Sequence, residues 1–148
     1  MKISVQREDF DAGREIQLLV GDGKVGAIAS FVGLVRDVAM TLEHYAGMTE
    51  REIGKIAEEA KQRWRVMDLT VIHRYGELQP TDRIVLVVVA SAHRGDAFAA
   101  CEFIMDYLKT RAPFWKKEHR RDGAAWVEAK SSDDAAAERW KPGEKNTG

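Results

Sequence analysis

Positively charged side chains are concentrated in one short stretch of this sequence. Between Met105 and Arg121 the chain has two acidic residues against six basic ones, which are Lys109, Arg111, Lys116, Lys117, Arg120 and Arg121. The formal net charge of all 148 residues is -1. A local excess of positive charge in a nearly neutral protein is typical of a site for an anionic ligand. The sequence therefore predicts an anion-binding corner here.

Other cationic residues lie where predicted elements end. Arg36 closes a predicted strand, and His93 with Arg94 follows a strand and precedes a helix. Free backbone amides and the helix dipole at such a helix start favour an anion such as phosphate. The alternative is that Arg94 pairs with a surface carboxylate and His93 packs a loop, and position alone does not choose between the two interpretations.

Two lysines lie on either side of Pro113, which disfavours helical geometry at the preceding residue and should end the helix near residue 110 or 111. Lys109 has an ordinary alternative, because Asp106 lies three residues before it and could form an ion pair on a solvated helix face. Lys116 could likewise protect an edge strand from aggregation. Each alternative is the stronger interpretation when its residue is taken alone.

The four cationic segments become informative when they are taken together. Arg36, the pair His93 and Arg94, Lys109 and Lys116 all lie at element ends, where binding and catalytic sites are usually built. Lysines in such a cluster could donate or accept protons during a reaction. The sequence therefore predicts one composite anion site.

Neither a cysteine nucleophile nor a metal centre is favoured. The single cysteine, Cys101, lies in the apolar stripe of a predicted helix and is interpreted as a core residue, and it excludes an internal disulfide. Glu43, His44 and His73 have no further ligand at a regular spacing, so we expect no metal and no cofactor.

Hydrophobic periodicity predicts the elements that position these residues. Strands are predicted at residues 2–5, 27–35, 40–45, 69–75 and 84–90. Helices are predicted at residues 11–20, from Thr49 to Trp64, from 97 to about 110, and at 133–140 with Ser132 as cap. The spacing of Thr49 and Glu52 predicts a capping box, and Asp122 with Gly123 predicts a hairpin between strands 114–119 and 124–129.

Length and composition predict an α+β fold. A chain that is 45% apolar and 32% charged fits a single compact domain, in which a mixed or antiparallel sheet packs with helices and carries a C-terminal β-hairpin. The strand at 27–35 should be largely buried, and the strand at 84–90 must be central because it is apolar on both faces. We expect the domain to cover residues 1–140 and a flexible tail to cover 141–148.

Charge and hydropathy also exclude classes of function. The N-terminus lacks the apolar run of a signal peptide, and the longest apolar stretch, residues 84–90, is too short to span a membrane. We therefore expect a cytoplasmic protein that does not bind a membrane. The net charge of -1 also argues against a general nucleic-acid binder, which usually carries a basic excess.

Four stretches of the chain resemble a known family. They are Thr41-Leu-Glu-His-Tyr-Ala-Gly-Met-Thr49, Val71-Ile-His-Arg-Tyr-Gly-Glu77, Ser91-Ala-His-Arg94 and Phe103-Ile-Met-Asp-Tyr-Leu-Lys-Thr-Arg-Ala-Pro-Phe-Trp-Lys116. They are similar to the large subunit of molybdopterin synthase, the MoaE family, and the similarity extends from about residue 25 to Trp140. The resemblance implies an α/β hammerhead-like fold.

The resemblance also implies an activity, which is sulfur transfer to cyclic pyranopterin monophosphate to form the dithiolene of molybdopterin. In that family a small ubiquitin-like subunit of the MoaD type carries the sulfur as a thiocarboxylate on its C-terminal glycine. Two large subunits form a homodimer at the centre of a heterotetramer. The chain is thus expected to be a sulfurtransferase of molybdenum cofactor biosynthesis.

The family's pocket positions fall on Leu34, Val35, Arg36, His93, Arg94, Lys109, Lys116, Lys117 and Glu118. By resemblance, Arg36, His93 and Arg94 hold the phosphate and pterin. Lys109 meets the thiocarboxylate, and Lys116 orients the substrate or transfers protons, so these two lysines are the catalytic candidates. Lys130 is expected to reach the pocket of the neighbouring subunit.

One departure from the family concerns the loop after Arg36. Only five residues separate Arg36 from Leu42, where the family usually has a longer polar loop, so the position of Arg36 is the least determined. Two other functions fit the cationic cluster. The chain could be a non-catalytic module that captures the tail of a ubiquitin-like protein by its carboxylate, or it could bind the phosphates of RNA or DNA.

Overall fold

The computed structural model describes residues 1–120, 123–127 and 131–141, which form eight strands and four helices. The strands are β1 (Lys2–Gln6), β2 (Ala27–Leu34), β3 (Met40–His44), β4 (Val66–Arg74), β5 (Gly76–Leu78), β6 (Arg83–Ser91), β7 (Phe114–Arg120) and β8 (Gly123–Val127). The helices are α1 (Ala12–Leu18), α2 (Met48–Arg63), α3 (Arg94–Thr110) and α4 (Ser131–Glu138). These elements confirm the predicted α+β class.

Strand β6 lies inside the first of two four-stranded sheets, whose order is β1-β4-β6-β2. Strands β4 and β2 pair with it in antiparallel fashion, and β1 pairs parallel with β4. The side chains from Val85 to Ser91 are all buried. A strand that is covered on both faces needs apolar residues on both, so the predicted central position of this strand is confirmed.

Strand β2 differs from its prediction. It is an edge strand of the first sheet, and Phe31 and Leu34 are 43% and 54% exposed. The expectation of a largely buried strand is therefore wrong. The C-terminal half of this strand lines a cavity, where its apolar side chains remain partly accessible.

Helices cover both faces of the first sheet. Ile53 and Ile56 from α2 and Phe103 and Ile104 from α3 are fully buried against one face, as their helical spacing predicts. Helix α1 and the buried ring of Phe10 pack on the other face. The long helix α3 therefore runs across the sheet with its C-terminal end directed towards β7.

The second sheet has the order β5-β3-β7-β8, and all its pairs are antiparallel. Pairing of β7 with β8 confirms the predicted C-terminal hairpin, although residue 122 of its turn lies outside the described residues. Strand β5 was not predicted, because Gly76–Leu78 reads locally as part of a turn. It is a strand because it pairs with the distant β3.

Helix α2 begins earlier than the sequence predicts. Gly47 is its N-cap, with φ of 84°, and the Gly47 N–H donates to the Glu50 carboxylate at 3.2 Å. The predicted capping box of Thr49 and Glu52 is therefore wrong. Thr49 lies inside the first turn, and its hydroxyl bonds instead to the backbone of Tyr45 and Pro113.

The C-terminal helix α4 is close to its prediction. It covers Ser131–Glu138, so Ser132 lies in its first turn rather than at its cap. Trp140, just beyond the helix, packs edge-on against Trp64 and Phe103 at centroid distances of 5.4 and 5.6 Å. Most of the predicted tail lies outside the described residues. None of the described helices is long and apolar enough to cross a membrane.

Candidate functional site

A cavity of about 920 Å³ lies where the end of β2, the last turn of α3 and strand β7 meet. Six of the predicted site residues line it, which are Leu34, Val35, Arg36, Lys109, Lys116 and Glu118. Both sheets and α3 contribute residues to its lining. Three of the four cationic segments that were predicted to converge therefore do so within one chain.

Lys109 projects from the last turn of α3, and its side chain is exposed along the cavity wall. The alternative interpretation paired it with Asp106. The Asp106 carboxylate instead accepts hydrogen bonds from Arg139 at 2.8 Å and from the Trp140 indole N–H at 2.6 Å. Because Asp106 faces α4 in this way, an ion pair with it does not explain Lys109.

The turn after α3 is held by two contacts from α2. The Thr49 hydroxyl donates to the carbonyl of Pro113 at 3.2 Å and accepts from the Tyr45 N–H at 3.2 Å. Arg111 donates to both carboxylate oxygens of Glu59 at 3.0 Å. The helix ends at Thr110, as the proline predicts, and these contacts fix the direction in which the chain returns as β7.

Lys116 lies on the cavity side of β7 together with a carboxylate. Its ammonium is 3.6 Å from Glu118, whose other oxygen accepts from the Arg120 guanidinium at 2.5 Å. The hydrogen bond from Arg120 lowers the pKa of Glu118, so this carboxylate stays ionised at neutral pH. Residues two apart on a strand share a face, which explains why all three line the cavity.

Arg36 lies at the rim of the cavity, in a tight turn. The Val38 N–H donates to the Arg36 carbonyl at 2.9 Å, and Asp37 between them has φ of 72°. A three-residue turn with positive φ is rare for a non-glycine residue. The Arg36 side chain is 79% exposed, and its Nε lies 3.7 Å from the Asp37 carboxylate.

His73 forms a buried part of the cavity wall that sequence reasoning did not assign to the site. Its side chain stacks on Phe114, with a centroid distance of 3.8 Å and an interplanar angle of 19°. Burial lowers the pKa of His73 to about 4, with smaller contributions from the nearby charges of Lys109 and His44. The imidazole is therefore neutral at physiological pH.

The remaining predicted residues lie elsewhere. His93 caps α3 and Arg94 is its first residue, so the rise of a helix places Arg94 about 22 Å along the axis from Lys109. Lys117 lies on the opposite face of β7 from Lys116. None of these three lines the cavity described here. Lys130 lies outside the described residues.

Cys101 is a core residue, as its place in the helix stripe predicts. It is 7% exposed, and its Sγ lies 4.0 Å from the carbonyl of Val87. Burial, with a smaller contribution from the charge of Glu102, raises the pKa of the thiol to about 11. The reactive thiolate is therefore scarce at neutral pH.

Several lining residues had no functional prediction, which are Phe31, His73, Met105, His119 and Arg120. For His73 a signal existed in the sequence. Leu69 and Val71 precede it on the same face of β4 and are fully buried, so an aliphatic residue would be typical at the third position of this row. A histidine in that row indicates that the core ends there and that a polar group faces the cavity.

Among the charged side chains of the cavity, cations outnumber carboxylates. The Arg36, Lys109, Lys116 and Arg120 side chains donate. The Glu118 carboxylate is paired with Lys116 and Arg120, and the Asp37 carboxylate lies 3.7 Å from Arg36. Such a wall binds anions, and a lysine beside a bound anion can transfer protons. The described residues contain no group of three or more His, Cys, Asp or Glu side chains that could hold a metal ion.

Comparisons with known proteins show similarity to one family along most of the chain. The family described as MoaE protein matches residues 5–111. The molybdopterin synthase catalytic subunit of Mesorhizobium japonicum is 58% identical over 147 residues, which cover 94% of this chain and 92% of that protein.

Solved structures with the same fold are also found. The molybdopterin biosynthesis MoaE protein of Burkholderia ambifaria has a TM-score of 0.83 and 56% identity, covering 94% of this chain and 97% of that one. Molybdopterin synthase from Staphylococcus aureus has a TM-score of 0.78 and 30% identity, and the match covers 84% of this chain and 95% of that one.

Proposed function

The chain belongs to the MoaE family, and we propose that it is the catalytic subunit of a molybdopterin synthase. In this function it transfers sulfur to cyclic pyranopterin monophosphate and so forms the dithiolene of molybdopterin. The sulfur donor is the C-terminal thiocarboxylate of a small ubiquitin-like subunit of the MoaD type. We place the reaction in the cytoplasm.

One observation carries this proposal, which is the convergence of Arg36, Lys109 and Lys116 on a single cavity from three separate segments. Both ligands of the reaction are anionic, because one bears a cyclic phosphate and the other a thiocarboxylate. A cavity of about 920 Å³ is within the size range of small-molecule sites, so it can admit a pterin together with a narrow tail. Positive charge on three sides favours bringing the two anions together.

The roles follow from the positions of the side chains. Lys109, on the flank that α3 provides, meets the thiocarboxylate, and Lys116 orients the pterin and moves protons as sulfur adds and the cyclic phosphate opens. Glu118 keeps Lys116 in place through the 3.6 Å ion pair. Arg36 is exposed at the rim and can close on the phosphate.

His93 and Arg94 require a second copy of the chain in this proposal. One straight helix separates them from Lys109 by about 22 Å, so the same molecule cannot bring both ends of α3 to one substrate. In a two-fold homodimer each pocket would combine Lys109 and Lys116 of one copy with His93 and Arg94 of the other. Lys130 and Lys117 would contribute to binding near this junction.

Reconstitution tests the activity directly. The chain is mixed with the thiocarboxylated small subunit and the sulfur-free cyclic pterin, and the dithiolene product is measured after conversion to a fluorescent derivative. The proposal expects product that depends on both components. Binding of the small subunit without any product would show instead that the chain is a non-catalytic module for the tail.

Mixed dimers test the shared pocket. Arg94→Ala and Lys109→Ala chains are each expected to be nearly inactive alone. Because a mixed dimer retains one intact pocket of two, random mixing should restore about a quarter of the wild-type activity. Failure of the mixture to exceed either variant, with mixed dimers shown to form, would place Arg94 and Lys109 in the same pocket or outside it.

A further inference from the structure

We propose that His73 is a positioning residue for Lys109. When ligand is bound in the cavity, the Nε2 lone pair of His73 accepts a hydrogen bond from the Lys109 ammonium. This inference rests on the proposed function, because it assigns Lys109 to the thiocarboxylate. It concerns a buried side chain that the cationic cluster does not explain. The contacts of the imidazole ring carry it.

The first step is the tautomer of His73. Its Nδ1 lies 2.9 Å from the main-chain carbonyl of Arg74. A carbonyl oxygen can only accept a hydrogen bond, so Nδ1 must carry the hydrogen. In a neutral imidazole the other nitrogen, Nε2, then has no hydrogen and can only accept. The main chain of β4 thus fixes which atom is left for the cavity.

The second step is the orientation of the ring. Phe114 stacks on one face of the imidazole at 3.8 Å, and the His44 ring lies 6.3 Å from Phe114 on the neighbouring strand. Stacking on one face and a main-chain hydrogen bond at Nδ1 prevent the ring from turning. His73 is 9% exposed and lines the same cavity as Lys109.

The third step is the proximity and charge of Lys109. Its positive charge is near enough to contribute to lowering the pKa of His73, which is about 4. The ring therefore stays neutral and does not repel the ammonium at physiological pH. The Lys109 side chain is exposed, and its four-carbon stem is flexible. Catalytic hydrogen bonds of this kind often tighten only when ligand is bound.

A purely packing role predicts something different. If His73 only filled the space beside Phe114 and donated to the Arg74 carbonyl, then Nε2 would form no hydrogen bond with Lys109. The cavity wall, however, carries several donors, and its two carboxylates already have partners. Glu118 is paired with Lys116 and Arg120, and Asp37 lies 3.7 Å from the Arg36 guanidinium. A neutral acceptor next to Lys109 gives that ammonium a defined position without neutralising its charge.

Nitrogen NMR of the folded chain tests the contact without altering His73. Long-range proton–nitrogen spectra of wild-type protein, with the small subunit bound, should show a protonated Nδ1 and an unprotonated Nε2. In Lys109→Met the Nε2 resonance should shift while the Nδ1 resonance stays in place. An Nε2-protonated ring, or an Nε2 resonance that is the same in both proteins, would overturn the proposal.

A matched pair of variants separates the two ring nitrogens. In His73→Gln the side-chain amide reaches the position of Nε2, whereas in His73→Asn it reaches that of Nδ1. Loss of one charge-assisted hydrogen bond corresponds to about a tenfold change, so labelling of Lys109 by an amine-reactive reagent in the complex should rise about tenfold in His73→Asn. In His73→Gln it should stay within about twofold. Equal labelling in both variants would contradict the assignment.

Sulfur transfer measured on the same proteins separates this inference from the proposed function. His73→Asn is expected to lower kcat with little change in KM for the small subunit, and His73→Gln should recover most of kcat. If wild-type protein forms the dithiolene and neither the spectra nor the labelling connects His73 to Lys109, the inference fails and the proposed function stands. If no dithiolene forms, the spectra still decide the contact.

Discussion

Replacing Lys109 with alanine should separate activity from stability. Lys109 is exposed on the cavity wall, and the nearest acid on its helix, Asp106, is engaged by Arg139 and Trp140. The substitution therefore removes a cation without breaking the contacts that hold α3. We expect the free energy of unfolding to change by less than about 0.5 kcal/mol, as for other surface substitutions.

The expected loss of activity follows from Coulomb's law. Two unit charges about 4 Å apart interact by about 4 kcal/mol at an effective dielectric constant of 20 and by about 1 kcal/mol in bulk water. An exposed lysine in a cavity lies between these limits, at about 2 to 3 kcal/mol. Since about 1.4 kcal/mol corresponds to a factor of ten, sulfur transfer should slow by roughly thirtyfold to a hundredfold.

The assay is single-turnover formation of the dithiolene with preformed complex, so that binding of the small subunit does not limit the rate. Lys55→Ala is the matched control, because Lys55 is an exposed lysine on α2 whose ion pair with Glu52 lies away from the cavity. It should retain wild-type activity. Undiminished product formation by Lys109→Ala, or an equal loss in the control, would refute the role given to Lys109.

Two further predictions concern buried groups. Cys101→Ala should lower stability by about 1 to 2 kcal/mol through a small cavity and leave sulfur transfer intact; loss of transfer at unchanged stability would contradict the core assignment. For His73, the folded-state pKa of about 4 lies below the ordinary value of 6.5, so the folded state resists protonation. Stability should therefore be full above pH 6.5 and fall by up to about 3 kcal/mol as the pH drops to 4. In His73→Phe the difference in unfolding free energy between pH 7 and pH 4 should shrink by that amount, and an unchanged difference would refute the buried neutral ring.

The sequence predicted those parts of the fold that depend on local periodicity. The apolar residues of β6 predicted its central position, and the helical spacing around Ile104 predicted α3. Pro113 predicted where that helix ends. In each case the prediction depends only on residues close together in the chain. The packing of the folded protein requires the same periodicity of apolar residues, so the prediction holds.

The errors came from interactions between distant segments. Thr49 matches a capping pattern locally, yet its hydroxyl bonds to Pro113, which is 64 residues away. Gly76–Leu78 becomes a strand only because β3 lies beside it. The sequence suggests an ion pair between Lys109 and Asp106, but Asp106 instead bonds to Arg139 and Trp140, which lie more than 30 residues further along the chain. His73 was considered only as a metal ligand, because its cavity is formed by segments that are remote in sequence.

The distance along the chain between the two walls of the cavity also has a consequence for biosynthesis. The wall from β2 is complete at Leu34, whereas Lys116 and Glu118 are added about 80 residues later. At synthesis rates of about 5 to 20 residues per second, this delay is about 4 to 16 s. A nascent chain therefore lacks the complete binding site until β7 has been synthesised. Truncated or stalled products that lack β7 should therefore not compete with the finished chain for ligands of the cavity.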